Sequence, residues 1–197
     1  MARKLRVTEA NHVYHVLNRA AKHAILFGTA QEYFKFEQLL EEAIRRFQMR
    51  TLAYCLMGTH FHLIVQTMRP SLSRGMQALC GTYGLRFNKR HERKGKLFGR
   101  RFMGVRIESD QHLLKAHRYV ARNPVRAGLC ETPSEWGWSS YRQVLGLEIP
   151  RGFLDVNGIF RLFHDQPALG RDAFIRFVDN PRDKPLGDFK LAETDGV

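Results

Sequence analysis

His60 and His62 stand two apart in an apolar stretch, MGTHFHLIVQ, at residues 57–66. The stretch has the composition of a sheet core. Side chains alternate along a strand, so both imidazoles would leave by one face while Phe61 and Leu63 leave by the other. Two imidazoles a pleat apart can grip one divalent metal ion, but two ligands do not complete a site, and a third must come from elsewhere. The plain alternative is a pair of ordinary histidines on a polar sheet face. Further candidates lie in HRYVARNPVRAGL at residues 117–129, where Tyr119 and Asn123 are four apart and share one helical face. Asn123 could lend its carboxamide oxygen to a metal held by His60 and His62, or simply end the helix ahead of Pro124. Tyr119 could stand beside that metal or be packing. A phenol of ordinary pKa, about 10, is a poor nucleophile at neutral pH. A divalent cation could polarise a phosphodiester for attack and stabilise the charge that develops on its oxygens.

Positioning these groups requires a definite order of elements. Residues 12–19 (HVYHVLNR) alternate and are rich in β-formers, which predicts a strand. Residues 31–47 carry apolar groups at helical spacing behind Thr29, a fitting cap. Residues 51–57 and 60–67 read as two strands joined by a tight Gly58-Thr59 turn. Residues 71–88 read as a helix capped by Ser71 or Ser73, and 98–107 as extended chain. Ser109 or Asp110 caps a last helix that ends or kinks near Asn123-Pro124. The order β-α-β-β-α-β-α is an α+β, ferredoxin-like split βαβ arrangement, an antiparallel sheet backed by helices on one face. A short helical C-terminal extension follows, with helical candidates at 156–163 and 172–178 and a loose tail over 181–197. The expected division is a catalytic domain over 1–145 and an extension over 146–197.

Charge narrows the class of partner. The 197-residue chain has a formal net charge of +13, which a polyanionic partner explains most simply. Nucleic acid comes first, and an anionic membrane surface second for want of a basic amphipathic anchor. Arg86, Lys89, Arg90, Arg93, Lys94, Lys96, Arg100, Arg101 and Arg106 face a single acid, Glu92, across that span, with Phe87, Phe98 and Phe102 interleaved. A solvated face usually mixes its signs, so this band reads as a phosphate-tracking surface with candidate base-stacking groups. Arg100 and Arg101 are the foremost candidates for backbone contacts, and Arg126 could reach a phosphate or merely solvate a helix end. Trp136, Trp138 and Tyr141 could stack on bases, but are better read as locking the segment after the last helix onto the core. His12, His15, His23, His91, His112, His117 and His164 read as surface or packing residues. Three cysteines without C-x-x-C spacing argue against a disulfide framework or zinc finger and for a reducing cytoplasm. The basic N-terminus has no apolar core of a signal peptide, and no run is long enough to cross a bilayer.

Five stretches in order, YHVLNRA, AYCLMGTHFHLIV, GKLFGRRF, RYVARNPVRAGL and WGWSSY, resemble the REP-associated tyrosine transposases, a branch of the single-tyrosine HUH, IS200-like superfamily. They span roughly residues 6 to 145. The resemblance implies a ferredoxin-like enzyme that acts on single-stranded or hairpin DNA in the cytoplasm, associated with the nucleoid, as a monomer or homodimer. It implies that His60 and His62 bind Mg²⁺ or Mn²⁺, that Asn123 completes the metal site, and that Tyr119 is the nucleophile. Tyr119 would cut the strand, form a 5′-phosphotyrosine link and leave a free 3′-OH; rejoining then needs no external energy source. Family members usually carry Pro-Asn before the first histidine, where this chain has Gly58-Thr59. The competing readings are a domesticated, non-catalytic nucleic-acid-binding module on the same fold, and a ferredoxin-like RNA binder. The RNA binder would expect aromatic pairs on the central strands, where this chain offers His60 and His62 instead.

Overall fold

The computed structural model describes residues 9–180. Four strands, β1 (His12–Arg19), β2 (Met49–Met57), β3 (His60–Thr67) and β4 (Met103–Ile107), form one sheet in the order β2-β3-β1-β4, with every neighbouring pair antiparallel. Between β1 and β2 runs α1 (Ala30–Arg46), and between β3 and β4 runs α2 (Leu72–Arg90). After β4 come α3 (Asp110–Ala121), the single turn α4 (Asn123–Arg126), the short α5 (Tyr141–Val144) and α6 (Pro167–Asp179). The expected order of seven elements is observed, and β1 and β3 have the expected limits.

Strand alternation divides the apolar side chains between two cores. Tyr14, Val16, Phe61, Leu63 and Val65 pack against Phe36 and Leu40 of α1 and Met76, Leu79 and Tyr83 of α2. The close approach of α2 is set by Gly75, where a Cβ would stand 2.5 Å from the Met49 side chain. The opposite face is apolar too: Ala53, Cys55, Met57, Ile64 and Ile107 cluster with Ala116 and Val120 of α3. Backing on one face therefore describes α1 and α2 only. Bare, this second apolar face would lie open to water, and α3 covers it.

Three expectations change at element ends. The 98–107 stretch narrows to the five residues of β4, because Phe98 makes only an isolated bridge to Ala20 and Phe102 turns into the core. α3 ends at Ala121, close to Asn123-Pro124 as expected, but the chain does not leave the helical path there. After a junction at Arg122 the chain makes the further turn α4, with Pro124 in the first turn, where a missing N–H costs nothing. The helix expected over 156–163 is a single 3-10 turn, Phe160–Leu162; just ahead of it the Asp155 carboxylate accepts from the Gly158 N–H at 3.1 Å and holds a local turn instead. The 172–178 candidate lies within α6. The tail expected over 181–197 is outside the described residues.

The chain after α4, from Trp138 to Asp155, closes the β2 edge. Leu56 N–H donates to Trp138 O at 2.9 Å, Ser140 N–H to Tyr54 O at 3.0 Å, and Asp155 N–H to Thr51 O at 2.9 Å. Trp138 stacks on Tyr33 with ring centres 4.2 Å apart, the Trp136 indole donates to Leu56 O, and Tyr141 is buried with its hydroxyl on Asp179. These aromatics lock the segment after the last helix onto the core, as expected.

Candidate active site

Sheet register places the histidines at one end of the two central strands. His62 lies opposite Leu17 of β1 and Cys55 of β2, and His60 opposite Arg19 and Met57. The turn ahead of them is well tied. Gly58 O accepts from Leu26 N–H at 2.8 Å and Phe27 N–H at 3.1 Å, and Thr59 O from Ala20 N–H at 2.8 Å. A Gly58 Cβ would come no closer than 3.9 Å to anything, so this turn does not demand glycine for space. The Thr59 hydroxyl sits 3.2 Å from His60 Nδ1, a position from which it can fix the ring.

From the other side, α3 and α4 bring Tyr119 and Asn123 over the imidazoles. The Asn123 side chain spans both: His60 Nε2 donates to its Oδ1 at 3.3 Å, and its Nδ2 donates to His62 Nε2 at 3.2 Å. The Tyr119 ring meets the His62 ring edge-on at 5.3 Å between centres, and the Arg126 guanidinium lies over the Tyr119 ring at 5.0 Å. All four residues singled out in the sequence thus converge, and Arg126 joins them.

His15 is the residue that sequence reasoning missed. The sequence suggests a surface or packing residue; His15 is fully buried and also touches the site, with Nε2 at 3.1 Å from His62 Nδ1 and its ring 5.7 Å from that of Tyr119. Since Asn123 Nδ2 can only donate to His62 Nε2, the proton of a neutral His62 sits on Nδ1 and is donated to His15. The sequence carries half of the signal: alternation along β1 puts His15 on the face of Leu17, and the register that pairs Leu17 with His62 makes that the histidine face.

The site is electrostatically poised to stay neutral. Burial, then the neighbouring His15, His60, Arg19 and Arg126, pushes His62 well below its ordinary pKa. Burial and then Arg19 lower His60, against the pull of Asn123. Burial, helped by His112, brings His15 down to about 4. Neutral imidazoles are the metal-binding form. Among the described residues no group of three or more His, Cys, Asp or Glu is placed to hold a metal. The donor set that does converge is two imidazoles and one carboxamide oxygen, a mixed nitrogen and oxygen set able to hold a divalent cation.

The basic band lies elsewhere. Arg86, Lys89 and Arg90 are exposed on the last turns of α2, and Lys94, Lys96, Arg100 and Arg101 on the segment leading to β4. Arg93 is half-buried and donates to Asn88 Oδ1 and Lys96 O. Of the interleaved aromatics, Phe102 is buried in the core, and Phe87 and Phe98 are half-buried and pack against it. Lys96, Arg100 and Arg101 instead rim a groove of about 750 Å³ floored by Gly81, Gly84 and Leu97, on the α1/α2 side of the sheet. The band borders the histidines at one point, where Gly99 N–H donates to Arg19 O.

A split βαβ sheet that sets two histidines against a helix-borne tyrosine and asparagine defines a transposase of the class the sequence resembles. Residues 8–123 match the family described as Transposase IS200 like, a span that contains His15, His60, His62, Tyr119 and Asn123, and the chain belongs to that family. It is similar to a protein of Haemophilus influenzae that carries the name REP-associated tyrosine transposase, at 23% identity over 128 residues covering 58% of this chain and 72% of the relative. The solved structure of a REP-associated tyrosine transposase bound to a REP hairpin shares the fold, with a TM-score of 0.64 at 14% identity over 79% of this chain and 90% of that one. No helix among the described residues is long and apolar enough to cross a membrane.

Proposed function

We propose that the protein is a metal-dependent transposase that binds hairpin-bearing single-stranded DNA and cuts and rejoins it through Tyr119. The observation that carries this reading is the convergence of Tyr119, His60, His62 and Asn123 on one sheet face. His60 Nε2, His62 Nε2 and Asn123 Oδ1 would hold Mg²⁺ or Mn²⁺. For His60 to offer Nε2, its proton must move to Nδ1, where the Thr59 hydroxyl stands ready to accept it. When bound, the cation would polarise the scissile phosphate and offset the charge growing on its oxygens.

The chain's own residues supply the rest. The Tyr119 oxygen attacks phosphorus, a Tyr–O–P bond forms and the P–O3′ bond breaks; the phenolic proton is lost and the departing oxygen gains one to become a 3′-OH. Attack by another 3′-OH reverses these changes and frees the phenol, so bond energy is conserved. Arg126, whose guanidinium lies over the Tyr119 ring, would bind the phosphate once it is joined there. Arg100, Arg101 and the rest of the band would hold the DNA backbone beyond the site. The likeness to a structure bound to a REP hairpin supports hairpin DNA as the partner.

The test is a denaturing gel of protein mixed with a labelled single-stranded hairpin and Mn²⁺. Wild type should give a covalent protein–DNA adduct that Tyr119→Phe and chelation abolish and His62→Ala strongly reduces. Equal behaviour of wild type and Tyr119→Phe would leave a binding module without catalysis.

A further inference from the structure

Arg19 is exposed at the end of β1, and its guanidinium makes no hydrogen bond or ion pair among the described residues. Its backbone, by contrast, is fixed. Arg19 stands opposite His60 in the antiparallel ladder, its N–H donates to Asn18 Oδ1 at 2.9 Å, and its carbonyl accepts from Gly99 N–H at 3.2 Å. Directly opposed residues share a sheet face, so the side chain leaves on the side of the imidazoles. Burial comes first in lowering the pKa values of His60 and His62, and the Arg19 charge adds to it for both. A cation kept beside a site for a second cation is repelled unless an anion stands between them, and the planar guanidinium fork fits phosphate oxygens.

The order of groups along the sheet says which part of the DNA that phosphate belongs to. His15, Leu17 and Arg19 follow one another on one face of β1, and Leu17 and Arg19 stand opposite His62 and His60. Tyr119 meets the rings of His15 and His62, and Asn123 spans His62 and His60. Tyr119, the metal-ligand set and Arg19 therefore succeed each other along the strand. In phosphoryl transfer the attacking and leaving oxygens lie roughly in line. Attack from the His15 end sends the 3′ oxygen toward Arg19, while Arg126, over the Tyr119 ring, stays with the other product. Beyond Arg19 the departing strand meets more positive charge. Phe98 pairs with Ala20 and Met103 with Leu17, so residues 99–102 loop out beside Arg19. The Gly99–Arg19 hydrogen bond keeps the Arg100 Cα within about 11 Å of the Arg19 Cα. Arg100 and Arg101 are exposed there, at the rim of the groove.

We infer that Arg19 grips a phosphate of the strand released with a 3′-OH and passes that strand over the sheet edge to Arg100 and Arg101. This rests on the Tyr119 cleavage reading and gives each product its own arginine, Arg126 for the phosphotyrosine and Arg19 for the 3′-OH strand. The test is a binding scan with the full chain carrying Tyr119→Phe, which has no phenol to attack. The probe is a labelled single-stranded hairpin whose phosphates are replaced one at a time by neutral methylphosphonates. One replacement should cost Tyr119→Phe about tenfold in affinity yet leave Tyr119→Phe/Arg19→Ala unaffected. Arg19→Lys in the same background should restore part of that sensitivity. Tyr119→Phe/Arg100→Ala/Arg101→Ala should be blind instead to a phosphate next to that one, or next but one, on its 5′ side. The wild-type adduct maps the cut, and both phosphates should lie 5′ of it. An Arg19→Ala loss that is equal at every phosphate, as a merely structural residue would give, overturns the inference. So do no loss at all, blind phosphates far apart or in the reverse order, a pair on the 3′ side of the cut, or a Tyr119→Phe protein that does not bind the hairpin. Wild type that forms no adduct while the two blind phosphates keep their spacing and order sinks only the cleavage reading. An adduct without a phosphate to which Arg19→Ala is blind sinks only the Arg19 assignment.

Discussion

At the scale of single residues, the candidate site is a chain of neutral hydrogen bonds running from His60 through Asn123 and His62 to His15. Its last link is the one that sets a tautomer, since His15 takes the His62 proton and so leaves His62 Nε2 as a lone pair facing Asn123. Replacing His15 with Phe should leave the buried His62 N–H without its acceptor, costing about 1–3 kcal/mol of stability. Loss of this outer support should also weaken Mn²⁺ binding roughly 10- to 100-fold. His15→Gln, whose amide oxygen can accept, should recover most of both. Urea unfolding and a Mn²⁺ titration would check this, and unchanged metal affinity in His15→Phe would remove His15 from the site. Tyr119, His60, His62 and Asn123 could be named from the sequence because strand and helix periods put each pair on one face. His15 could not, because alternation assigns a face but not a neighbour; only the pairing of β1 with β3 brings it to His62.

At the scale of elements, α3 carries Tyr119, the proposed nucleophile, and is held between the sheet and α6. The second contact is apolar and aromatic: the His117 ring meets Phe174 edge-on at 5.8 Å, and His117 Nε2 has no hydrogen-bond partner among the described residues. Burial lowers the His117 pKa from 6.5 to about 3. The unfolded chain binds a proton at His117 below its ordinary pKa and the folded chain does not. Its contribution is therefore complete above about pH 6.5 and is lost by about 1.4 kcal/mol per pH unit as pH falls toward the folded value. His117→Phe should make the loss of stability between pH 6.5 and 5 smaller by about 2 kcal/mol, read as urea midpoints. His15 and His62 titrate in the same direction, so part of the slope should persist; an unaltered slope would show that His117 does not stay neutral in the fold. Element order and the limits of β1 and β3 were legible because alternation and turn signals agree there. The path around Asn123 was not, since Pro124 reads equally well as a stop after one helix or as the first turn of another.

At the scale of the whole molecule, net charge pointed to a nucleic-acid partner, but composition could not say which aromatics of the basic band face outward; Phe102 fills the core, and Phe87 and Phe98 lie half-buried against it. The family match ends at Asn123, yet the physical unit runs further. β2 is an edge strand only in the absence of residues 138–155, which supply it with backbone partners and with a buried polar network. In that network the Tyr54 hydroxyl donates to Glu37 at 2.8 Å and accepts from Gln143 at 2.7 Å, while Arg151 donates to Glu37 at 3.0 Å. Cutting the chain after Leu129 would take Gln143 from the Tyr54 hydroxyl and Arg151 from the Glu37 carboxylate, strand that pair with only each other, and bare both the strand edge and the side of Tyr33 that Trp138 covers. An unpaired, apolar edge is a template for association with other copies, and each stranded polar group costs about 1–3 kcal/mol, more for the carboxylate. Against a typical total stability of about 5–15 kcal/mol, these losses together are disabling. A fragment of residues 1–129 should therefore aggregate or unfold without cooperativity, read by light scattering and urea titration. A monomeric fragment with the full chain's urea midpoint would show instead that the extension is an independent attachment. In that event the site over β3 and α3 would owe its position to the sheet and its two long helices alone.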